Sequence, residues 1–178
     1  MRIIRGFLKG KRFATPPNFP SRPTTDYAKE GFFNILENYF SIEDKAILDL
    51  CAGTGNISFE FVSRGAKSVL SIDSNPRCVQ SLKINSQNLG IEKIMNSYKT
   101  DCIVYCRNGK EKFDFIYADP PFHLKFHEEL ITVIFQKALL KEDGYLVVEH
   151  GKQTNLTAID NFEFCRNFGN VYFSFFKA

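Results

Sequence analysis

Tryptophan is absent from this 178-residue chain, histidine occurs three times and methionine twice. Cys51, Cys78, Cys102, Cys106 and Cys165 make an odd set without a Cys-x-x-Cys pair, which argues against a disulfide framework and a structural zinc site. No run approaches the 18 apolar residues of a membrane span, and no apolar stretch follows a basic start. Neither a span nor a signal peptide is expected, and a reduced cytoplasm is the expected compartment. Internal repeats and low-complexity tracts are missing. The net charge of +3 is too small to mark a uniformly basic protein. The third glycine of the dinucleotide fingerprint is missing too, since Ser58 stands in its place.

What is present is apolar. Hydrophobic residues make up 44% of the chain and include nineteen phenylalanines, enough for a substantial core. The length suits one domain with a small appendage, and monomer is the default at this size. The charge is uneven. Residues 1–30 carry seven Lys/Arg against Asp26 and Glu30, a net +5, which leaves −2 for the remainder. Arg2, Arg5, Lys11, Arg12 and Arg22 therefore form a candidate polyanion-binding arm. The competing reading is a solvated tail.

The arm begins as a candidate small hairpin, Ile3-Ile4-Arg5 and Arg12-Phe13-Ala14 flanking Leu8-Lys9-Gly10, and continues into residues 15–23, where four prolines forbid helix or central strand. A boundary is expected there, with residues 1–23 as basic hairpin and proline-rich loop and 24–178 as the main domain. A helix should start near Thr24–Asp26, its apolar positions Ala28, Phe32, Ile35, Leu36 and Tyr39 following helical spacing. Strands are expected at 46–50, 68–72, 94–98, 113–118 and 145–149, and helices at 57–64, 76–88 and 124–140. This βαβ alternation implies an α/β fold with a mostly parallel sheet. Segments 162–168 and 171–176, joined by Gly169-Asn170, read as an antiparallel hairpin that completes seven strands.

Two motifs carry chemistry. The first strand runs into Asp49-Leu50-Cys51-Ala52-Gly53-Thr54-Gly55-Asn56, where Gly53 and Gly55 permit a tight turn and close approach of a ligand. Asp73 ends the next strand, where a carboxylate can accept from both ribose hydroxyls; Asp101, after the third, could reach an adenine amine. Asp49, Gly53, Gly55, Asp73 and Asp101 are the candidate cofactor residues. The fourth strand delivers Asp119-Pro120-Pro121-Phe122 to the same edge. An exocyclic amine is a poor nucleophile because its lone pair is delocalised into the ring. The Asp119 carboxylate and a carbonyl near Pro120 could each accept one amine hydrogen, orienting the lone pair and stabilising the developing charge. The prolines stiffen the loop, and Phe122 could stack on a base that has left its helix. His123 and His127 are four apart without a third ligand, so no metal is expected. Glu149 and His150 end the fifth strand on the same edge, with a site role open.

Asp49–Asn56 and Asp119–Phe122, in this order, resemble class I methyltransferases that act on exocyclic amines. Met1-Arg2-Ile3-Ile4-Arg5-Gly6, Arg22-Pro23-Thr24-Thr25-Asp26 and Phe33-Asn34-Ile35-Leu36 resemble the start of the RsmD family of 16S ribosomal RNA (guanine-N2)-methyltransferases. The resemblance covers nearly the whole chain. It implies a Rossmann-like fold, S-adenosylmethionine as methyl donor and guanine 966 of 16S ribosomal RNA as target, within a small subunit or its assembly intermediate. Alternatives are an adenine-N6 methyltransferase on DNA or another RNA, a non-catalytic RNA-binding assembly factor, and a nicotinamide dehydrogenase. The last is disfavoured by Ser58 and by Asp119–Phe122.

Overall fold

The computed structural model describes residues 1–15, 19, 24–121 and 126–178. Seven strands form one sheet in the order β3-β2-β1-β4-β5-β7-β6. The strands β1 (Ala46–Leu50), β2 (Ser68–Asp73), β3 (Met95–Lys99), β4 (Phe113–Ala118) and β5 (Leu140–Gly151) pair in parallel. The terminal hairpin, β6 (Phe162–Phe168) and β7 (Val171–Lys177), is antiparallel, and β7 inserts between β5 and β6. Helices α1 (Asp26–Tyr39), α2 (Asn56–Ser63), α3 (Pro76–Asn88), α4 (Cys102–Asn108) and α5 (His127–Gln136) cover the sheet. The α/β class, the parallel sheet and the C-terminal hairpin are as the sequence predicts.

The helix and strand boundaries need correction at several points. The sequence shows no helix between β3 and β4, yet α4 is there, capped by Asp101 accepting from the Val104 amide. Ile103, Val104 and Tyr105 favour strand, and seven residues are too few for helical periodicity to appear. The expected 124–140 helix is shorter, and residues 122–125 lie outside the described ones. Ala138 adopts φ +50°, which stops α5, and β5 begins at Leu140 rather than 145, accommodating Asp143 at φ +57°. Smaller shifts of one residue affect α2 and β3. The N-terminal hairpin is reduced to one β-bridge, Arg2 to Arg12, with flanking bonds from Ile3 N to Lys11 O and Phe13 N to Met1 O.

The core has two halves, one on each face of the sheet. On the α1/α2 face Phe32 lies 4.9 Å from Phe33, 5.3 Å from Tyr117 and 5.1 Å from Phe173, centroid to centroid. Ile3, Leu8 and Phe13 of the arm are buried in the same cluster. The arm is pinned there by one carboxylate. Glu60 of α2 accepts from the Ile4 and Arg5 amides at 2.9 and 3.0 Å, pairs with Lys29 at 3.3 Å and is gripped by Arg64 at 2.9 Å. The side chains of Lys29 and Glu60 are fully buried. Burial pushes the Lys29 ammonium below its usual range, with Glu60 opposing. The Lys29 ammonium also donates to the Arg2 carbonyl at 2.8 Å.

Removing one partner of a buried ion pair leaves the others uncompensated. Glu60→Gln should destabilise the chain by about 3–5 kcal/mol in urea unfolding and release residues 1–13 to limited proteolysis. Unchanged stability with an unchanged protease pattern would show that the pair is dispensable.

Candidate active site at the carboxyl edge

The loop after β1 contains three left-handed residues, Cys51 (φ +62°), Gly53 (φ +52°) and Gly55 (φ +78°). The φ of +78° at Gly55 strains any side chain, and a Cβ there would also lie 2.4 Å from Leu82 Cδ2 and 2.7 Å from Phe59 Cε2, which favours glycine. The loop is held by Asp73 at the end of β2: its Oδ2 accepts from the Gly53 amide and its Oδ1 from the Asn75 amide, both at 2.8 Å. The Cys78 thiol also hydrogen-bonds this carboxylate, which still leaves acceptor capacity for a ligand hydroxyl. The Sγ atoms of Cys51 and Cys102 lie 3.5 Å apart, joining this loop to the start of α4. The neighbouring thiol and burial raise Cys51 well above its usual range, so it stays protonated. Asp101 is exposed on the same rim and already caps α4.

Asp49 does not face outward. It is buried in β1 and accepts from the Ser58 hydroxyl in the first turn of α2; Ser58 in turn lies 2.8 Å from Ser71 Oγ. Ser58, read as a missing glycine, is thus the partner of the Asp49 carboxyl. Burial, opposed by the Ser58 hydrogen bond, pushes Asp49 up to about 7.

Register places Asp49 beside Tyr117, and Tyr117 beside Val147. Side chains alternate along a strand, so Glu149 shares the face of Asp49 and Tyr117. The Tyr117 hydroxyl donates to Glu149 Oε2, and Thr24 Oγ1 donates to the same oxygen at 3.0 Å. The Asn56 side chain donates to the Thr24 carbonyl at 2.8 Å and accepts from Lys29 Nζ at 2.9 Å. A continuous polar chain thus runs from Glu60, beneath the arm, through Lys29, Asn56 and Thr24 to Glu149.

Asp119 leaves β4 with its amide on the Leu50 carbonyl at 3.2 Å, which sets the tetrapeptide beside the glycine loop. Pro120 is buried and Pro121 exposed. Burial holds Asp119 well above the carboxylate range, and the charges of Glu149 and Asp49 add to this. Burial also raises Glu149, against the hydrogen bonds from Tyr117 and Thr24. No ion pair among the described residues reaches any of the three carboxyls.

The structure therefore brings together Asp49, Gly53, Gly55, Asp73, Asp119 and Pro120, and adds Glu149, Tyr117, Thr24, Asn56 and Ser58. Of these additions, only Glu149 was visible in the sequence as a candidate. Phe122, His123 and Arg22 lie outside the described residues. Among the arm cations, Arg5 pairs with Glu37 at 2.7 Å and Arg2 with Asp26 at 3.8 Å. Lys11 and Arg12 are exposed and form no ion pair among the described residues.

A glycine loop after β1, a carboxylate after β2 and Asp-Pro-Pro after β4, on one edge of a β3-β2-β1-β4-β5-β7-β6 sheet, define a Rossmann-like chain of the methyltransferase kind. A family model described as Conserved hypothetical protein 95 matches residues 1–177, and the chain belongs to that family, the RsmD family of the resemblance. Ribosomal RNA small subunit methyltransferase D of Haemophilus influenzae is 32% identical over 165 residues, which span 90% of this chain and 84% of that protein. The solved structure of yhhF from Escherichia coli superposes with a TM-score of 0.88 at 25% identity, covering 99% of this chain and 97% of that one. The crystal structure of SMU.776 complexed with SAH shares the fold alone, with a TM-score of 0.69 at 15% identity over 86% of this chain and 50% of that one.

The buried acid makes stability depend on pH. Asp49 titrates near 7 when folded and near 4 when unfolded, so the native state binds the extra proton between these values. Its contribution to stability is therefore present below about pH 4, declines as pH rises and is fully lost above about pH 7. Asp49→Asn should remove up to about 4 kcal/mol of that decline, measured as the wild-type-minus-variant difference in unfolding free energy at pH 4.5 and 7.5. A difference that is flat with pH would contradict the assignment.

Proposed function

We propose that this chain transfers a methyl group from S-adenosylmethionine to the exocyclic N2 amine of a guanine in 16S ribosomal RNA, at position 966, in the small subunit or its assembly intermediate. The observation that carries the reading is the gathering of Asp49, Asp119 and Glu149 beside a glycine loop with no paired cation among the described residues. Such a site suits a reaction that builds positive charge on a nitrogen. The cofactor fits the residues present: Gly53 and Gly55 let the backbone approach it, and Asp73 retains acceptor capacity for its ribose. When bound, S-adenosylmethionine supplies a methyl group activated by its sulfonium.

The chain's own part is orientation and electrostatics. The Asp119 carboxylate and the Pro120 carbonyl accept the two amine hydrogens, which directs the nitrogen lone pair at the methyl group. As charge develops on the nitrogen, the Asp119 carboxylate stabilises it. Ionisation of Asp119, disfavoured by burial, is favoured by the positive charge of the reactants. Pro120 and Pro121 keep the loop stiff.

Among the described residues no helix is long and apolar enough to cross a membrane, and the proposed compartment is the cytoplasm, with the chain a monomer. The names of the relatives, among them the Haemophilus influenzae enzyme, support an rRNA substrate. The test is label transfer from radioactive S-adenosylmethionine to hypomethylated small subunits, free ribosomal RNA or DNA. Labelling of small-subunit RNA at a guanine N2 is expected, and labelling of DNA alone would refute the reading. Asp119→Ala should keep cofactor affinity and lower turnover by roughly 10²–10³-fold. Turnover within a few-fold of wild type would remove Asp119 from the chemistry.

The arm is proposed to bind phosphates. Replacing Arg2, Arg5, Lys11, Arg12 and Arg22 with glutamine should weaken RNA binding without changing cofactor affinity. The slope of log K against log salt should fall by about 0.7–0.9 for each phosphate that is no longer neutralised. Lys11 and Arg12 should account for more of this than Arg5, which already faces Glu37. An unchanged slope would make the arm a solvated surface.

A further inference from the structure

Glu149 is 3% exposed, and both of its donors, Tyr117 Oη and Thr24 Oγ1, fall on one oxygen, Oε2. Among the described residues no hydrogen bond reaches Oε1. Oε1 is not fully enclosed, so this oxygen of a nearly buried carboxylate stays open to the site and is a place where a ligand's donor can sit. The neighbouring strand supplies the second such group: the Asp119 side chain also receives no hydrogen bond from the described residues. Adjacent strands lie ~5 Å apart, and Asp119 follows Ala118, whose partner across β4 and β5 is Val148, the residue before Glu149. Among the described residues the site thus presents two acceptors side by side and no donor side chain between them.

The two purine edges differ in the groups they offer to such a pair. Guanine carries N1–H next to its N2 amine, an unbroken row of donors. Adenine carries an N6 amine next to N1, whose lone pair would point at a carboxylate oxygen. We infer that Glu149 determines base specificity, its Oε1 accepting the N1–H of the target while Asp119 accepts from the amine to be methylated. This inference rests on the proposed guanine-N2 reaction and adds the group that distinguishes guanine from bases without N1–H. The Tyr117 and Thr24 hydroxyls hold the carboxylate in the rotamer this requires and leave its other oxygen for the base. A site whose acceptor loses its donor discriminates strongly, because the group stays buried and unpaired.

The test uses two small-subunit RNA fragments that differ only at the target base, guanine in one and 2-aminopurine in the other. 2-Aminopurine keeps the 2-amino group and has a lone pair in place of N1–H. The full chain should methylate the 2-aminopurine RNA with kcat/KM lower by about 10–10²-fold, the effect of one lost hydrogen bond to a charged group. Glu149→Gln offers an amide that can donate to that lone pair, so guanine should be used less well and the ratio should fall to within about threefold. Cofactor affinity by calorimetry should not change. Equal use of both RNAs by the wild-type chain overturns the inference, and this needs no variant to fold. So does a Glu149→Gln chain that loses activity on both RNAs in the same proportion, which is what a merely structural role gives. Failure to methylate either RNA overturns the guanine-N2 reading itself and the inference with it.

Discussion

The Glu60 carboxylate is the constraint on which the rest of this molecule hangs. It sits on α2, the helix that follows the glycine loop, and it takes the backbone amides of Ile4 and Arg5 while balancing Lys29 and Arg64. A buried ion pair is seldom a net gain over apolar packing, but breaking one is expensive. Its effect here is therefore on specificity of placement. The arm's backbone faces inward onto Glu60 and Ser63, which leaves the Arg2, Arg5, Lys11 and Arg12 side chains on the surface, Arg5 against Glu37 and Arg2 near Asp26. A short basic segment becomes a fixed charged surface rather than a tail, and binding a polyanion then requires little further ordering of the chain.

The same carboxylate anchors a second arrangement. From Lys29 the hydrogen bonds pass through Asn56 and Thr24 to Glu149, so the starts of α1 and α2 converge on the acidic edge of the sheet. Helix N-termini carry partial positive charge and unsatisfied amides, and acids placed beneath them are less unfavourable than acids in a neutral core. Ser58, in the first turn of α2, supplies Asp49 with its donor. The acidic row is tolerated because two helices begin over it, and those helices are held in position by the ion pair at the far end of the chain of bonds.

Much of this was legible in the sequence, and the misses have identifiable causes. Gly169-Asn170 between two β-rich segments gave the hairpin, and the apolar runs before Gly53 and Asp119 gave the strands that carry the motifs. Helix α4 was hidden because its residues favour strand, and because its clearest start signal, Asp101, also reads as a ligand carboxylate. The end of α5 was hidden because Ala138 is a good helix former held at φ +50° by its surroundings. Lys29 and Glu60 lie 31 residues apart on different helices, and nothing local marks either as buried. The same holds for Thr24 and Glu149, 125 residues apart. Motif reading finds the groups that meet ligands through their backbone loops; it does not find the long-range polar contacts that fix those groups in place.

A folded chain gains nothing from crowding Asp49, Asp119 and Glu149 together. Each is raised above its ordinary range, which means each opposes folding when ionised at neutral pH. Tyr117, pushed up by burial and by Glu149, can donate to only one of them. The arrangement makes sense only with a positively charged or donor-rich partner in the site, because the repulsion among the acids is then offset by attraction to that partner. A cationic methyl donor and an amine acquiring positive charge both meet the requirement, and a neutral acceptor-rich ligand meets neither. The instability is confined to the carboxyl edge, while the phenylalanine core around Phe32 and the Glu60 network supply the rigidity that keeps the acids from relaxing apart. On the proposed function, stability given up at the carboxyl edge is retained as electrostatic preorganisation of the site.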